Sequence, residues 1–182
     1  MVDRSRGSPA LLNFFTREFG GTLVSELRSA YNEVVCVRRQ TCLVHLLREL
    51  EHTERHKSPG AGWSEFAQKL RRLWGDAIRS WRKQYQLPHE THLSRRARLT
   101  ARLEELIKAA WNNAHARRLV NRLRRHQDDL FTFLNQPGVP FDNNLAERAI
   151  RAAVILGRNT YGNRSSQRAN VHSILVSIFF TP

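Results

Sequence analysis

The last part of the fold begins at Pro140-Phe141-Asp142-Asn143-Asn144-Leu145-Ala146-Glu147-Arg148-Ala149-Ile150-Arg151, where a loop gives way to a predicted helix. Pro140 disfavours a helical conformation in the residue before it. Asp142 or Asn143 can cap the following helix, because a short polar side chain accepts hydrogen bonds from the free backbone N–H groups of a first turn. The spacing therefore predicts a helix that starts two or three residues after Pro140.

The polar side chains of this helix fall on one side. At about 3.6 residues per turn, Asn143, Glu147 and Arg151 share a face, and Asn144 and Arg148 lie beside Glu147. One carboxylate framed by amides and guanidinium groups suits a site for a metal ion and a phosphate. The alternative for Glu147 is a surface salt bridge with Arg151 at i+4. The apolar residues of the segment are expected to face a core: Leu145, Ala149 and Ile150.

Charge is the most unusual property of the composition. The 182 residues carry a formal net charge of +14 and a pI near 11.3, with 41% hydrophobic residues. A surplus of this size favours a polyanionic partner, most often nucleic acid. We expect no membrane span, because no apolar run approaches about 18 residues. We also expect no small-molecule substrate. Cys36 and Cys42 make no disulfide framework, which indicates a reducing, cytoplasmic setting.

Before residue 58 the sequence predicts a mixed α/β region. Thr22 to Ser25 forms a short apolar strand that ends at Glu26, and a helix follows over residues 27–35. A second strand is predicted over residues 39–44 and a helix over residues 46–56. A further short helix is predicted over residues 9–17, with Pro9 in its first turn.

Residues 58–139 are predicted to form a basic, all-helical insertion. It opens with the linker at residues 58–62 and contains apolar residues at helical spacing. Residues 63–126 hold sixteen Lys and Arg against five Asp and Glu, a surplus of 11. This surplus favours contact with DNA phosphates over a merely solvated helical face. The four tryptophans fit core packing better than stacking on bases: Trp63, Trp74, Trp81 and Trp111.

In this arrangement the chain resembles the transposases of the insertion-sequence 66 family. The match is carried by Arg4 to Ser8, by Leu23 to Glu26 with Ser29 to Asn32, and by Thr41 to Arg48. It is most specific in Phe141 to Arg151 together with Tyr161 to Ser165. The resemblance implies a partial ribonuclease-H-like α/β fold, helix-dominated here, in three parts: residues 1–57, the insertion at 58–139, and residues 140–182.

The resemblance also implies a chemistry. In this family two aspartates and one glutamate hold two Mg²⁺ or Mn²⁺ ions. With these ions the enzymes cut DNA phosphodiester bonds and transfer the cut strand. Glu147 corresponds to the third acid and Glu26 stands in the place of the second, as catalytic and metal-binding residues. The residues implied to contact DNA are Asn143, Asn144, Arg148, Arg151, Arg158 and Arg164. The alternative for Glu26 is an acid at a helix N-terminus, favoured by the helix dipole.

Two departures from the family set the expected activity. No counterpart of the first aspartate is found, so we expect a transposase truncated at its N-terminus, and also at its C-terminus. Glu26 replaces an aspartate, and its extra methylene displaces the carboxylate by about 1 Å, which can cost on the order of 100-fold in rate. We therefore expect an inactive or incomplete enzyme that needs another transposase fragment or a second copy. The alternative is a non-catalytic DNA-binding remnant or a repressor of the parent element. A zinc site at Cys42, His45, His52 and His56 is disfavoured, because a second cysteine is missing.

Overall fold

The computed structural model describes residues 19–27, 29–149 and 151. They fall into two compact units. The larger unit holds residues 19–27 and 36–142, and the smaller unit holds residues 29–35, 143–149 and 151. The helix predicted over residues 9–17 lies outside the described residues.

The described residues contain one sheet of two parallel strands, β1 (Phe19–Ser25) and β2 (Cys36–Thr41). Leu23 pairs with Arg39 and Ser25 pairs with Thr41, so both strands end at the same edge. The strand predicted before Glu26 is confirmed. The helix predicted over residues 27–35 is wrong, because only a 3-10 helix forms there, at Ser29–Glu33. Ten residues separate the two strands, fewer than the dozen or so that a helical crossover takes.

Helices dominate the rest of the described chain. They are α1 (Leu43–His56), α2 (Trp63–Arg82), α3 (His89–Lys108), α4 (Ala114–Arg125), α5 (Thr132–Asn135) and α6, of which residues 144–149 and 151 are described. The strand predicted over residues 39–44 ends at Thr41 instead, because Leu43, Leu46 and Leu50 form one buried helical face. The long helices of the predicted insertion are confirmed.

One core joins α1 to the helices of the predicted insertion. It contains Leu46 and Leu50 from α1, Trp74 from α2, Leu103 from α3 and Leu123 from α4. Trp63 and Trp74 are buried, while Trp81 and Trp111 are partly buried against the same cluster. Core packing of the tryptophans is therefore confirmed. The three-part division at residues 58 and 140 stays a prediction.

Two polar tethers hold α1 and the linker in place. Arg71 of α2 donates to Glu54 of α1 at 2.8 Å, and this hydrogen bond holds the pKa of Glu54 below its usual range. Asn113 caps α4 by accepting from the N–H groups of His115 and Ala116 at 2.9 and 3.1 Å. Its amide also donates to the Pro59 carbonyl at 2.6 Å, so one side chain ties the linker to the start of α4.

A buried amide ties the sheet to the end of the helical region. The fully buried Gln40 of β2 donates to the Leu130 carbonyl at 3.3 Å and accepts from the Phe133 N–H at 2.8 Å. The hydroxyl of Thr132 donates to the carbonyl of Arg39 beside it. The segment around α5 is thus hydrogen-bonded to β2, although the two lie more than 90 residues apart in the sequence.

Gln40→Leu should destabilise the fold by about 1–3 kcal/mol, because the buried Phe133 N–H loses its acceptor while the side-chain volume is nearly kept. Urea unfolding measures the change. Gln68→Leu, at an exposed position of α2, is the control and should stay within about 0.5 kcal/mol of the wild type. Equal effects of the two substitutions would contradict a special role for Gln40.

Candidate metal and nucleic-acid site

Two successive backbone N–H groups hold the residues that precede Glu26 and Asp142 at the carboxyl edge of the sheet. Cys42 donates to the carbonyl of Ser25 at 2.8 Å, immediately before Glu26. Leu43 donates to the carbonyl of Phe141 at 2.9 Å, immediately before Asp142. In open α/β sheets ligands bind outside the carboxyl ends of the strands. The residues that precede both motifs therefore lie where such a site is expected.

Phe141 is the anchor of the second motif. It is only 9% exposed, and its ring meets the rings of Trp81 and Phe133 edge-on, with centroids 5.2 and 6.1 Å apart. Edge-to-face pairs of this kind add to the free energy gained by burial. The aromatic contacts and the backbone hydrogen bond to Leu43 together fix the point from which the Asp142–Arg151 segment departs.

Glu26 faces a histidine at the start of α1. The carboxylate lies 3.7 Å from Nε2 of His45, and both side chains are about a quarter exposed, at 27%. Nδ1 of the same ring lies 3.2 Å from the sulfur of the buried Cys42. Both ring nitrogens of His45 are thus engaged, which fixes the imidazole between the thiol and the carboxylate.

A groove runs from Glu26 along α1 and α4, and we call it the α1–α4 groove. It consists of two adjoining cavities of about 510 and 340 Å³ that share Leu27, Glu49 and Arg122. Arg122 is held by Glu49 at 2.6 Å. Its other charged or titratable lining residues are Glu26, His45, Arg48, His52, Lys57, His115 and Arg118.

The cationic wall supplied by α4 was missed by sequence reasoning. His115, Arg118 and Arg122 recur at helical spacing beside the buried Leu119 and Leu123, and this stripe was the available signal. Sequence alone did not show that α4 packs next to α1, which is what brings the stripe to the Glu26 edge. Neither Lys57 nor Arg118 has an acidic partner among the described residues.

Glu147 lies in the smaller unit, whereas Glu26 lies in the larger one. The Glu147 N–H donates to the carbonyl of Asn143 at 3.0 Å, so Asn143 occupies the N-cap position of α6. The side-chain oxygen Oδ1 of Asn143 is buried and has no hydrogen-bond partner in the described part of the chain. Asn144 and Glu147 are half-buried, and Arg148 and Arg151 are exposed. Arg158 and Arg164 lie outside the described residues.

The expectation that the apolar residues of α6 face a core is wrong for two of them. Leu145 is 84% exposed and Ala149 is exposed, while Ile150 lies outside the described residues. Helical spacing determines which residues share a face, but it does not supply a partner for that face.

Within the described ranges, no group of three or more His, Cys, Asp and Glu side chains is placed to hold a metal ion. Of the disfavoured zinc residues, His52 and His56 pack ring against ring at 4.8 Å, while Cys42 contacts His45. None of the helices described between residues 43 and 149 is long and apolar enough to cross a membrane.

Comparison with known protein families agrees with the motifs. The model of the Transposase IS66 family matches residues 1–171, nearly the whole chain. The chain belongs to the IS66 transposase family. DNA is the partner that membership in this family implies. Comparison with curated proteins and with solved structures gave no match for this IS66-family chain.

Phe141→Ala should cost about 3 kcal/mol of stability, because the substitution leaves a cavity between Trp81 and Phe133. Thermal and urea unfolding measure the loss. Tyr85→Ala removes a ring that is 78% exposed and should change stability by no more than about 0.5 kcal/mol. A loss for Phe141→Ala as small as that of the control would show that Phe141 does not anchor the motif.

Proposed function

We propose that this chain is the catalytic-core part of an IS66-type DNA transposase in which Glu26 and Glu147 supply carboxylates to a divalent-metal site. The observation that carries the proposal is the pair of backbone hydrogen bonds donated by the N–H groups of Cys42 and Leu43. These bonds hold the residues before Glu26 and before Asp142 at one edge of the sheet. The family match across both motifs supports it.

The fold in this proposal is a partial ribonuclease-H-like one. Three features support it: an acid directly after β1, a parallel partner strand, and the return of the chain to the sheet edge at Phe141 after a helical region. In this proposal α2 to α5 form an insertion between β2 and the helix of the third acid. Another transposase fragment or a second copy of the chain would complete the active assembly.

The donor chemistry fits Mg²⁺ or Mn²⁺. Both ions prefer oxygen ligands, and Glu147 and the unpartnered Oδ1 of Asn143 lie one helical turn apart. Divalent ions in such a site would activate the attacking oxygen and stabilise the leaving oxygen of a phosphodiester. His45 would orient Glu26, since it lies 3.7 Å from the carboxylate.

The α1–α4 groove is proposed to hold the DNA backbone. It starts at Glu26 and carries Lys57, Arg118 and Arg122 on its walls. These cations contact phosphates without reading base sequence. A second candidate function, DNA binding without cleavage, is favoured by the surplus of 11 positive charges in residues 63–126.

A plasmid-nicking assay with Mg²⁺ or Mn²⁺ tests the catalytic proposal. We expect slow nicking by the wild type, loss of nicking in Glu147→Gln, and up to about 100-fold faster nicking in Glu26→Asp, which restores the length of the family's acid. Glu65→Gln, at an exposed ion pair on α2, is the matched control and should nick like the wild type.

If the wild type and Glu26→Asp both fail to nick, alone and when mixed with an intact IS66-family transposase that can complete the assembly, the catalytic proposal is overturned. If DNA affinity then falls steeply with salt and is unchanged in Glu147→Gln, DNA binding without cleavage is the function. Nicking that survives Glu147→Gln would remove that residue from the site.

A further inference from the structure

A second cationic site lies away from the Glu26 edge, between α2 and α3. A cavity of about 300 Å³, here called the α2–α3 pocket, opens between these helices. Its charged lining consists of Asp76, Arg79 and Lys83 from α2 and of Arg95 and Arg102 from α3. Four cations thus surround one carboxylate, and the pocket has a formal charge of +3.

Asp76 holds two of these cations in place rather than neutralising the pocket. Arg102 donates to one carboxylate oxygen at 2.7 Å, and Arg79 donates to the other. Burial raises the pKa of Asp76, but the two hydrogen bonds outweigh it and the pKa lies below its usual range, so the carboxylate stays ionised. A guanidinium has five N–H donors, so each arginine keeps donors for a further acceptor.

Lys83 and Arg95 are the other two cations of the pocket. Neither Lys83 nor Arg95 forms an ion pair with any described residue. Like charges that converge in this way repel one another unless an anion lies between them.

A buried hydroxyl gives a second, independent indication of a ligand. Ser80 is only 4% exposed and lies in the wall of the pocket. Its buried Oγ has no hydrogen-bond partner among the residues that the structure describes. A buried polar atom without a partner costs free energy and commonly marks the place of a water or an ion.

We propose that the α2–α3 pocket binds a phosphate group of the DNA backbone, separately from the α1–α4 groove. Lys83 and Arg95 supply the unpaired charge, Arg79 and Arg102 supply oriented donors, and Ser80 adds a hydroxyl. The inference rests on the proposed DNA-binding function and adds a second contact to it.

A chain of phosphates fits better than a single free phosphate ion, because the cationic lining continues. A neighbouring cavity of about 450 Å³ shares Arg102 with the pocket; Lys69, Arg72 and one acid, Glu105, also line it, so its formal charge is +2. Cations that follow the seam between two helices match the repeated charges of a DNA strand.

The test compares two double variants of the full chain that carry the same change in charge. Lys83→Gln with Arg95→Gln removes the unpaired cations of the pocket, and Arg82→Gln with Arg98→Gln removes exposed neighbours outside its lining. Fluorescence anisotropy measures affinity for a short duplex as a function of salt. We expect the pocket variant to bind about tenfold more weakly at moderate salt, with a salt slope smaller by about 2, and the control to change much less.

Ser80→Ala and inorganic phosphate complete the experiment. Ser80→Ala should weaken DNA binding without lowering the melting temperature, because it deletes an unpartnered buried hydroxyl. Equal effects of the two double variants on DNA affinity would overturn the proposal and leave only diffuse attraction. A free-anion site would show itself when inorganic phosphate raises the melting temperature of the wild type but not of the pocket variant. If DNA affinity is at the same time equal for the two double variants, the pocket is such a free-anion site and the DNA assignment is wrong.

The outcome for the pocket can be separated from that for the proposed function. A wild-type chain that binds no duplex would contradict both. A chain whose affinity is lost in Arg118→Gln with Arg122→Gln, but not in the pocket variant, would keep the groove and exclude the pocket.

Discussion

The larger unit depends on the buried amide of Gln40. This side chain satisfies a carbonyl and an N–H near α5 while its own backbone lies in β2. A buried amide without partners is costly, so the sheet and the end of the helical region stabilise each other only when they are together. Because α5 is held beside β2, the chain that leaves it through Pro140 reaches the sheet edge, where Phe141 accepts from Leu43.

The position of the candidate site follows from that constraint. Glu26 emerges from the end of β1, next to the strand that Gln40 fixes, and α1 begins there with His45 facing the carboxylate. The helices between α1 and Phe141 build the basic surfaces: α4 faces α1 along the groove, and α2 faces α3 around the second pocket. One core supports both surfaces, so the Glu26 edge and the proposed DNA contacts belong to the larger unit.

Local sequence patterns predicted the helices well, but they could not predict which residues far apart in the sequence come into contact. The spacing of Phe66, Leu70, Leu73 and Trp74 predicted α2 because a helix repeats its face within a few residues. The bonds of Gln40 to residues 130 and 133 could not be predicted, since no local pattern shows which distant backbone groups a buried amide will meet. Glu26 and Glu147 were found by resemblance. The cations of α4 and the α2–α3 pocket appeared only once the helices were packed.

Iron-directed cleavage of the protein backbone tests most directly the proposal that Glu26 and Glu147 supply carboxylates to a divalent-metal site. Fe²⁺ in place of Mg²⁺, with ascorbate and peroxide, generates radicals that cut the chain close to the bound ion. We predict cuts near residue 26 and near residue 147, both suppressed by excess Mg²⁺ and both lost in Glu147→Gln. Cuts near only one of the two acids, or cuts that persist in Glu147→Gln, would contradict the shared site.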